Sequence, residues 1–318
     1  MNRRDFMIGL GVATGLAPAA LAAEKPAKIG ILSWGRTGGL ELFYEAMQQN
    51  GYSQAKDYEI EAYFTDGNRE LTENYAKKLV EEPVDILVAW STPAVQIAKE
   101  ATQTIPIVMV SANALATGPV GGHSNPGGNI TGVSLLLTDL AGKRLELLRE
   151  IRPSLQTVGF LGSAKAPNAV TFVHETEGAA ERLGIRLLAR LVDGPEAIDE
   201  TVFTTMKQDG AEAVIVQPVF TGHQDKIVPM AMKAGLPVVA DWAAFAEAGA
   251  LFTYGPSGNA LVRRTAYFVD RILKGAKPAD LPVEQPTEFD LVVNARTASG
   301  LGWMVPDGMR LRASRVIE

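Results

Sequence analysis

The 318-residue chain has no cysteine. That removes disulfides, thiolate nucleophiles and cysteine-ligated metal sites together, and it leaves the compartment open. Histidine is scarce: His123, His174 and His223 stand in unrelated segments, without the short spacings that metal ligands share. Each reads as a surface or loop histidine, and neither a metal nor a cofactor is expected. Basic charge is not in excess. The formal net charge is −6, which argues against a nucleic-acid partner, because such partners are met by a basic face. Two catalytic signatures are missing as well: there is no Gly-x-Ser-x-Gly elbow and no Gly-x-x-x-x-Gly-Lys phosphate loop. Gly35-Arg36-Thr37-Gly38-Gly39 has the glycines of a phosphate loop without their order, and reads as a flexible turn.

Beyond the N-terminus there is no apolar run long enough to span a membrane. The N-terminus itself reads as a twin-arginine signal peptide. Arg3-Arg4 precede Phe6-Met7, an apolar stretch runs to Leu21, and Ala20-Leu21-Ala22 forms a small-x-small cleavage pattern. Gly9, Gly11, Gly15 and Pro18 make this a poor core helix, and the stretch is short of the roughly twenty residues a membrane anchor needs. Residues 1–23 are therefore set apart from the fold, and the mature chain is expected to be soluble in the periplasm.

What remains has 21% charged and 47% hydrophobic residues, an ordinary globular balance that excludes disorder. Strand-like and helix-like segments alternate. Short apolar runs at 28–32, 58–64, 84–89 and 106–110 read as strands. Helices fit at 40–50, 70–81 and 93–102. In the first, Leu40, Phe43, Ala46 and Met47 recur at helical spacing and Gly51 ends the run. In the second, Leu71, Tyr75 and Leu79 share a face. In the third, Ser91 or Thr92 is the cap and Pro93 suits the first turn. A stretch rich in Gly, Pro and Asn at 112–129 then reads as a long loop between two units, followed by a helix at 137–152.

A second series has strands at 157–161, 185–191, 213–216 and 237–240, with helices around 179–183, at 197–208 and between the last two strands. A helix at 261–273 and a strand at 289–293 return the chain across a hinge. Alternating βαβ units with wholly apolar strands imply parallel sheets covered on both faces. The fold class is thus α/β, two Rossmann-like lobes with parallel sheets joined by a hinge. One lobe takes residues 24–132 plus about 255–284, the other 133–254 plus about 285–318.

Several strings are similar to those of one known family. Arg263-Arg264-Thr265-Ala266-Tyr267-Phe268-Val269-Asp270 leads into residues 272–287, Phe289-Asp290-Leu291-Val292-Val293-Asn294 follows, and Arg315-Val316-Ile317-Glu318 ends the chain. Upstream, Pro126-Gly127-Gly128-Asn129-Ile130-Thr131-Gly132-Val133-Ser134 precedes Gly142-Lys143-Arg144-Leu145-Glu146-Leu147-Leu148. Over essentially the whole mature chain these resemble the ABC-transporter substrate-binding proteins that include tryptophan- and tyrosine-binding lipoproteins. The resemblance implies a type I periplasmic-binding fold, a small-molecule ligand between two lobes and a membrane permease as partner. It implies no particular ligand. Many relatives carry an Asp-Pro pair after the strand at 106–110, where this chain reads Ser111-Ala112-Asn113. Their lipidation cysteine is also absent.

In open parallel sheets, ligands sit beyond the carboxyl ends of the strands. The strand-exit residues are the candidate site: Ser33, Trp34, Trp90, Ser91, Thr92, Ser111, Asn113, Ser163, Gln217, Phe220, Asp241 and Trp242. Trp34, Trp90 and Trp242 would form a flat apolar slot, or else plug the hinge. Ser91-Thr92-Pro93 opens a helix whose dipole and free amides favour a ligand carboxylate, or is an ordinary cap. Asp241 can pair with a ligand ammonium or cap the segment starting at Trp242. Gln217 can bond ligand or backbone. The expected function is a monomeric periplasmic receptor, not an enzyme, that closes around a small carboxylate with an aromatic or apolar body, such as an amino acid. The alternative is an exported enzyme or sensing domain on the same fold.

Overall fold

A computed structural model describes residues 25–35, 39–112, 114, 118, 120–122, 124 and 126–318. The expected signal segment, residues 36–38, Asn113 and His123 lie outside the described residues. The first series of elements is β1 (Ala27–Ser33), α1 (Leu40–Gln49), β2 (Tyr58–Phe64), α2 (Arg69–Glu81), β3 (Ile86–Trp90), α3 (Thr92–Ala101), β4 (Ile107–Ser111) and β5 (Ile130–Ser134). The second is α4 (Ala141–Ile151), β6 (Thr157–Ser163), α5 (Ala169–Arg182), β7 (Arg186–Val192), α6 (Glu200–Gln208), β8 (Ala213–Val216), α7 (Gln224–Lys233), β9 (Val238–Ala240), α8 (Ala243–Glu247) and β10 (Phe252–Pro256). The chain closes with α9 (Gly258–Leu273), β11 (Phe289–Asn294), α10 (Ala295–Gly300), α11 (Asp307–Arg312) and β12 (Arg315–Ile317). Among the described residues no helix is long and apolar enough to cross a membrane.

Two sheets result, ordered β2-β1-β3-β4-β5 and β12-β11-β10-β9-β8-β6-β7. The first is wholly parallel. The second departs from the expected parallel pattern at one ladder, β10 against β11. The chain leaves this sheet along β10 and re-enters it beside the same edge, with the amide of Ser257 bonded to the carbonyl of Glu288. A strand that returns at the point of departure must run antiparallel.

Apolar strands form here because both faces are covered. Residues 29–33 are buried without a break. On α1, Phe43, Ala46 and Met47 are buried, at the spacing of one helical face, and α1 packs against α9. The α2 face differs from expectation: Thr72, Ala76 and Leu79 turn inward, and Leu71 is exposed. Thr72 can face inward because its hydroxyl bonds Thr65 and the carbonyl of Asn68.

The turn-rich stretch at 112–129 does not separate the lobes. It lies inside the first, because β5 follows it and pairs in parallel with β4. Gly132 permits that pairing. It has φ +134, and a Cβ there would sit 2.1 Å from the carbonyl oxygen of Met109, so only glycine fits. The expected boundaries at 132/133 and 254/255 fall within β5 and β10, and the strands themselves run to Ser134 and Pro256. The chain crosses between sheets after β5, between β10 and α9, and between Glu284 and β11. Glu284 still bonds the backbone of Gly132 and Ser134.

Register brings the strand exits of the first sheet together. Ser33 stands opposite Trp90, Trp90 opposite Val110, and Ser111 opposite Ser134. In the second sheet Leu161 stands opposite Val216, which places Gln217 beside Gly162.

Candidate ligand cleft

A cavity of about 410 Å³ opens where the exits of both sheets meet, within the size range of small-molecule sites. Seven of the twelve expected residues line it: Ser33, Trp34, Trp90, Ser91, Thr92, Gln217 and Trp242. Trp34 is nearly buried, its backbone amide bonded to the carbonyl of Trp90. Trp90 and Trp242 are partly buried, so ring surface from both lobes is presented to the space between them.

Ser91 is the most unusual of these residues. It precedes α3 with φ 85 and ψ 153, a conformation that glycine adopts readily and serine does not. Its amide donates to Val110 and its carbonyl accepts from Val95, so the backbone is held at both ends. Its hydroxyl makes no capping bond. Among the described residues, Ser91 Oγ is the buried side-chain polar atom left without a partner. A buried hydroxyl without a bond is costly, and here it borders a cavity at a helix N-terminus. The amides of Thr92 and Ala94 precede the first intrahelical bond, donated by Val95, so the positive end of the helix faces the same region.

Thr92 lines the cavity but has partners. Its Oγ1 lies 3.1 Å from Ser111 Oγ and accepts a 3.1 Å bond from the amide of Ala112. This ties α3 to the exit of β4. Gln217 is likewise fixed: its Oε1 accepts from the amide of Ser163 at 2.9 Å, and its Nε2 donates to Asn168 Oδ1 at 3.3 Å.

Four expected residues are not at the cavity. Ser111 is fully buried behind Thr92. Ser163 supports Gln217 through its amide. Phe220 is a core side chain, packed with Phe203 and Ile227. Asp241 neither faces the cavity nor caps a helix. Its carboxylate pairs with the Arg144 guanidinium, and the two side chains are only 1% and 2% exposed. Complete burial pulls Arg144 down to about 9, still charged at neutral pH. Arg144 also donates to the carbonyls of Tyr254 at 2.9 Å and Leu137 at 3.4 Å, and so clasps the hinge. Asp241 borders a second cavity of about 340 Å³, which shares Trp242, Gly258 and Asn259 with the first. The twelfth residue, Asn113, lies outside the described residues.

Lining residues not foreseen include Asn168 and Phe172 at the start of α5, and Asn259 and Leu261 at the start of α9. Their signal was the rule already used for Ser91: helix N-termini converge where parallel strands end. His223 is also more than a surface residue. Its Nε2 lies 2.9 Å from Asp66 Oδ1, joining the segment before α7 to the loop after β2. Asp66 belongs to the first lobe and His223 to the second, so the pair bridges the lobes. Among the described residues, none that lines the larger cavity is ionisable, and no cluster of three or more metal-ligating side chains occurs.

The family model "ABC transporter substrate binding protein" matches residues 36–317. The chain belongs to that family. This substrate-binding protein is also similar to a curated tyrosine-binding protein of Clostridioides difficile (strain R20291), at 22% identity over 81% of this chain and 75% of the relative. A Streptococcus pneumoniae ABC domain solved in complex with L-Trp superposes with a TM-score of 0.83 at 28% identity, covering 92% of this chain and all of the other. A conserved domain protein from Vibrio cholerae O1 biovar El Tor superposes with a TM-score of 0.85 at 25% identity, with the same coverage. The fold is that of type I periplasmic-binding proteins. Proteins of this family bind small-molecule ligands and serve ABC-transporter permeases.

Proposed function

We propose that this substrate-binding protein is a non-catalytic, monomeric periplasmic receptor, exported through its Arg3-Arg4 signal. It closes two lobes on a small carboxylate with an aromatic or apolar body and delivers it to a membrane permease. The observation that carries the reading is the pairing of opposed chemistries in one cleft: tryptophan surface from both lobes, and beside it the unpartnered Ser91 hydroxyl at the N-terminus of α3. An aromatic body would lie on the rings, and a carboxylate would accept from Ser91 and the first-turn amides. The L-Trp complex of the Streptococcus pneumoniae relative supports a ligand of this size.

A thermal-shift screen of aromatic and aliphatic carboxylates tests the reading. A true ligand at about a hundred times its Kd adds roughly 2.7 kcal/mol of stability, and it should be recovered chemically unchanged. If no carboxylate raises the melting temperature, or a ligand is turned over, the proposal fails. Replacing Arg3-Arg4 by a lysine pair should hold precursor in the cytoplasm. Unchanged export would remove the twin-arginine assignment alone.

A further inference from the structure

The geometry points to a ligand that carries an anion and no cation: an aromatic or apolar acid without an α-ammonium group, rather than an amino acid. This rests on the receptor reading above and narrows it. Among the described residues that line the larger cavity, none is Asp, Glu, Lys, Arg or His. Its polar groups are hydroxyls, amides and indole nitrogens. An anion finds a matched place there, beside the unpartnered Ser91 hydroxyl and the N-terminus of α3, whose first residues line the cavity. An ammonium finds none.

Three acids line the neighbouring cavity rather than this one: Glu247, which pairs with Arg315, Asp290, and Asp241, which adjoins Trp242 in sequence. Asp241 is the one next to a lining tryptophan. It is committed elsewhere. Arg144 neutralises it in a pair that is almost wholly buried, and it borders the neighbouring cavity instead. To free it for a ligand, Arg144 would be left as an uncompensated buried cation, which costs far more than one ligand contact returns. The tryptophan faces attract cations, but more weakly than water solvates an ammonium, and burial removes that water. The side-chain carbonyl oxygens nearby are partly spent: Gln217 Oε1 accepts from Ser163, and Asn168 Oδ1 accepts from Gln217. An amino acid entering this cleft would therefore bury a positive charge opposite no negative one.

The test is calorimetric titration of the wild-type chain with matched pairs that differ only in the ammonium group. Indole-3-propionate is set against L-tryptophan, 3-(4-hydroxyphenyl)propionate against L-tyrosine, and 3-phenylpropionate against L-phenylalanine. Tryptamine, an amine without a carboxylate, is the control. The deaminated acid should bind at least thirtyfold more tightly than its amino acid, and tryptamine should give no heat. If other aromatic acids such as benzoate bind while no amino acid does, the inference also stands. An amino acid that binds as tightly as its deaminated partner overturns the inference and leaves the receptor reading intact. If neither acids nor amino acids bind, the carboxylate-receptor reading itself falls, and this inference with it.

Discussion

Ser91 holds a glycine-like backbone conformation with a side chain that gains nothing from the free protein. Such strain, about 1–3 kcal/mol, persists where function needs it. Ser91→Gly should therefore raise the stability of the ligand-free protein by about 1 kcal/mol in thermal denaturation, because glycine takes this φ freely. The same variant should lose roughly 1.5–3 kcal/mol of affinity for an acidic ligand, the worth of a hydrogen bond to a charge. A variant that binds at wild-type strength would remove Ser91 from the site. Arg144 makes the opposite case, a buried charge with partners within the protein. Arg144→Met should cost about 3–5 kcal/mol by leaving Asp241 buried and unpaired. Arg144→Met with Asp241→Leu should recover much of that in denaturant titration. The Arg144 partner of Asp241 is not legible in the sequence because it lies 97 positions away; a lone acid after an apolar strand does not reveal whom it meets.

Among the elements, those with a periodic signal were legible and those defined by long-range pairing were not. β1, β3 and β4 were visible as apolar runs between turns, and α1 by its spacing and its closing Gly51. β5 was not, because turn composition before it marks a turn without saying what the chain does next; its identity rests on pairing with β4. The inward face of α2 was misassigned because a threonine with internal bonds is buried in preference to a leucine. The α1–α9 packing that completes the first lobe depends on a further long-range contact. The Tyr52 hydroxyl, just after α1, donates to Asp270 on α9 at 3.0 Å. Burial and then this bond push the Tyr52 phenol up to about 12. The folded value lies above the unfolded value near 10. The stability it contributes is therefore complete below pH 10 and is lost as pH rises from 10 towards 12. Stability of Tyr52→Phe should be lower at neutral pH, by about 1 kcal/mol, and should fall less steeply over that alkaline window. Parallel curves for the two proteins would contradict the assignment.

At the scale of the molecule, two sheets share crossings between them, and the cleft is lined from both sides. The architecture was legible because alternating βαβ units allow few arrangements. The interior of the cleft was only half legible. Strand exits pointed to Ser33, Trp34, Trp90 and Ser91, but which exit residues face the cavity and which support it depends on side-chain bonds. The His223–Asp66 pair spans the lobes at 2.9 Å, with Asp66 substantially exposed, so its contribution is no more than about 1 kcal/mol. Asp66→Ala should therefore speed ligand release, by about fivefold at most, read by stopped-flow fluorescence; an unchanged release rate would show that the pair does not hold the lobes together. The most direct test of the central claim, that the ligand is held between tryptophan surfaces at the strand exits, is calorimetric titration of wild type, Trp34→Ala and Trp90→Ala with the acid that gives the largest thermal shift. The account predicts at least tenfold weaker binding in one or both variants, with native circular dichroism retained. Wild-type affinity in both folded variants would contradict it.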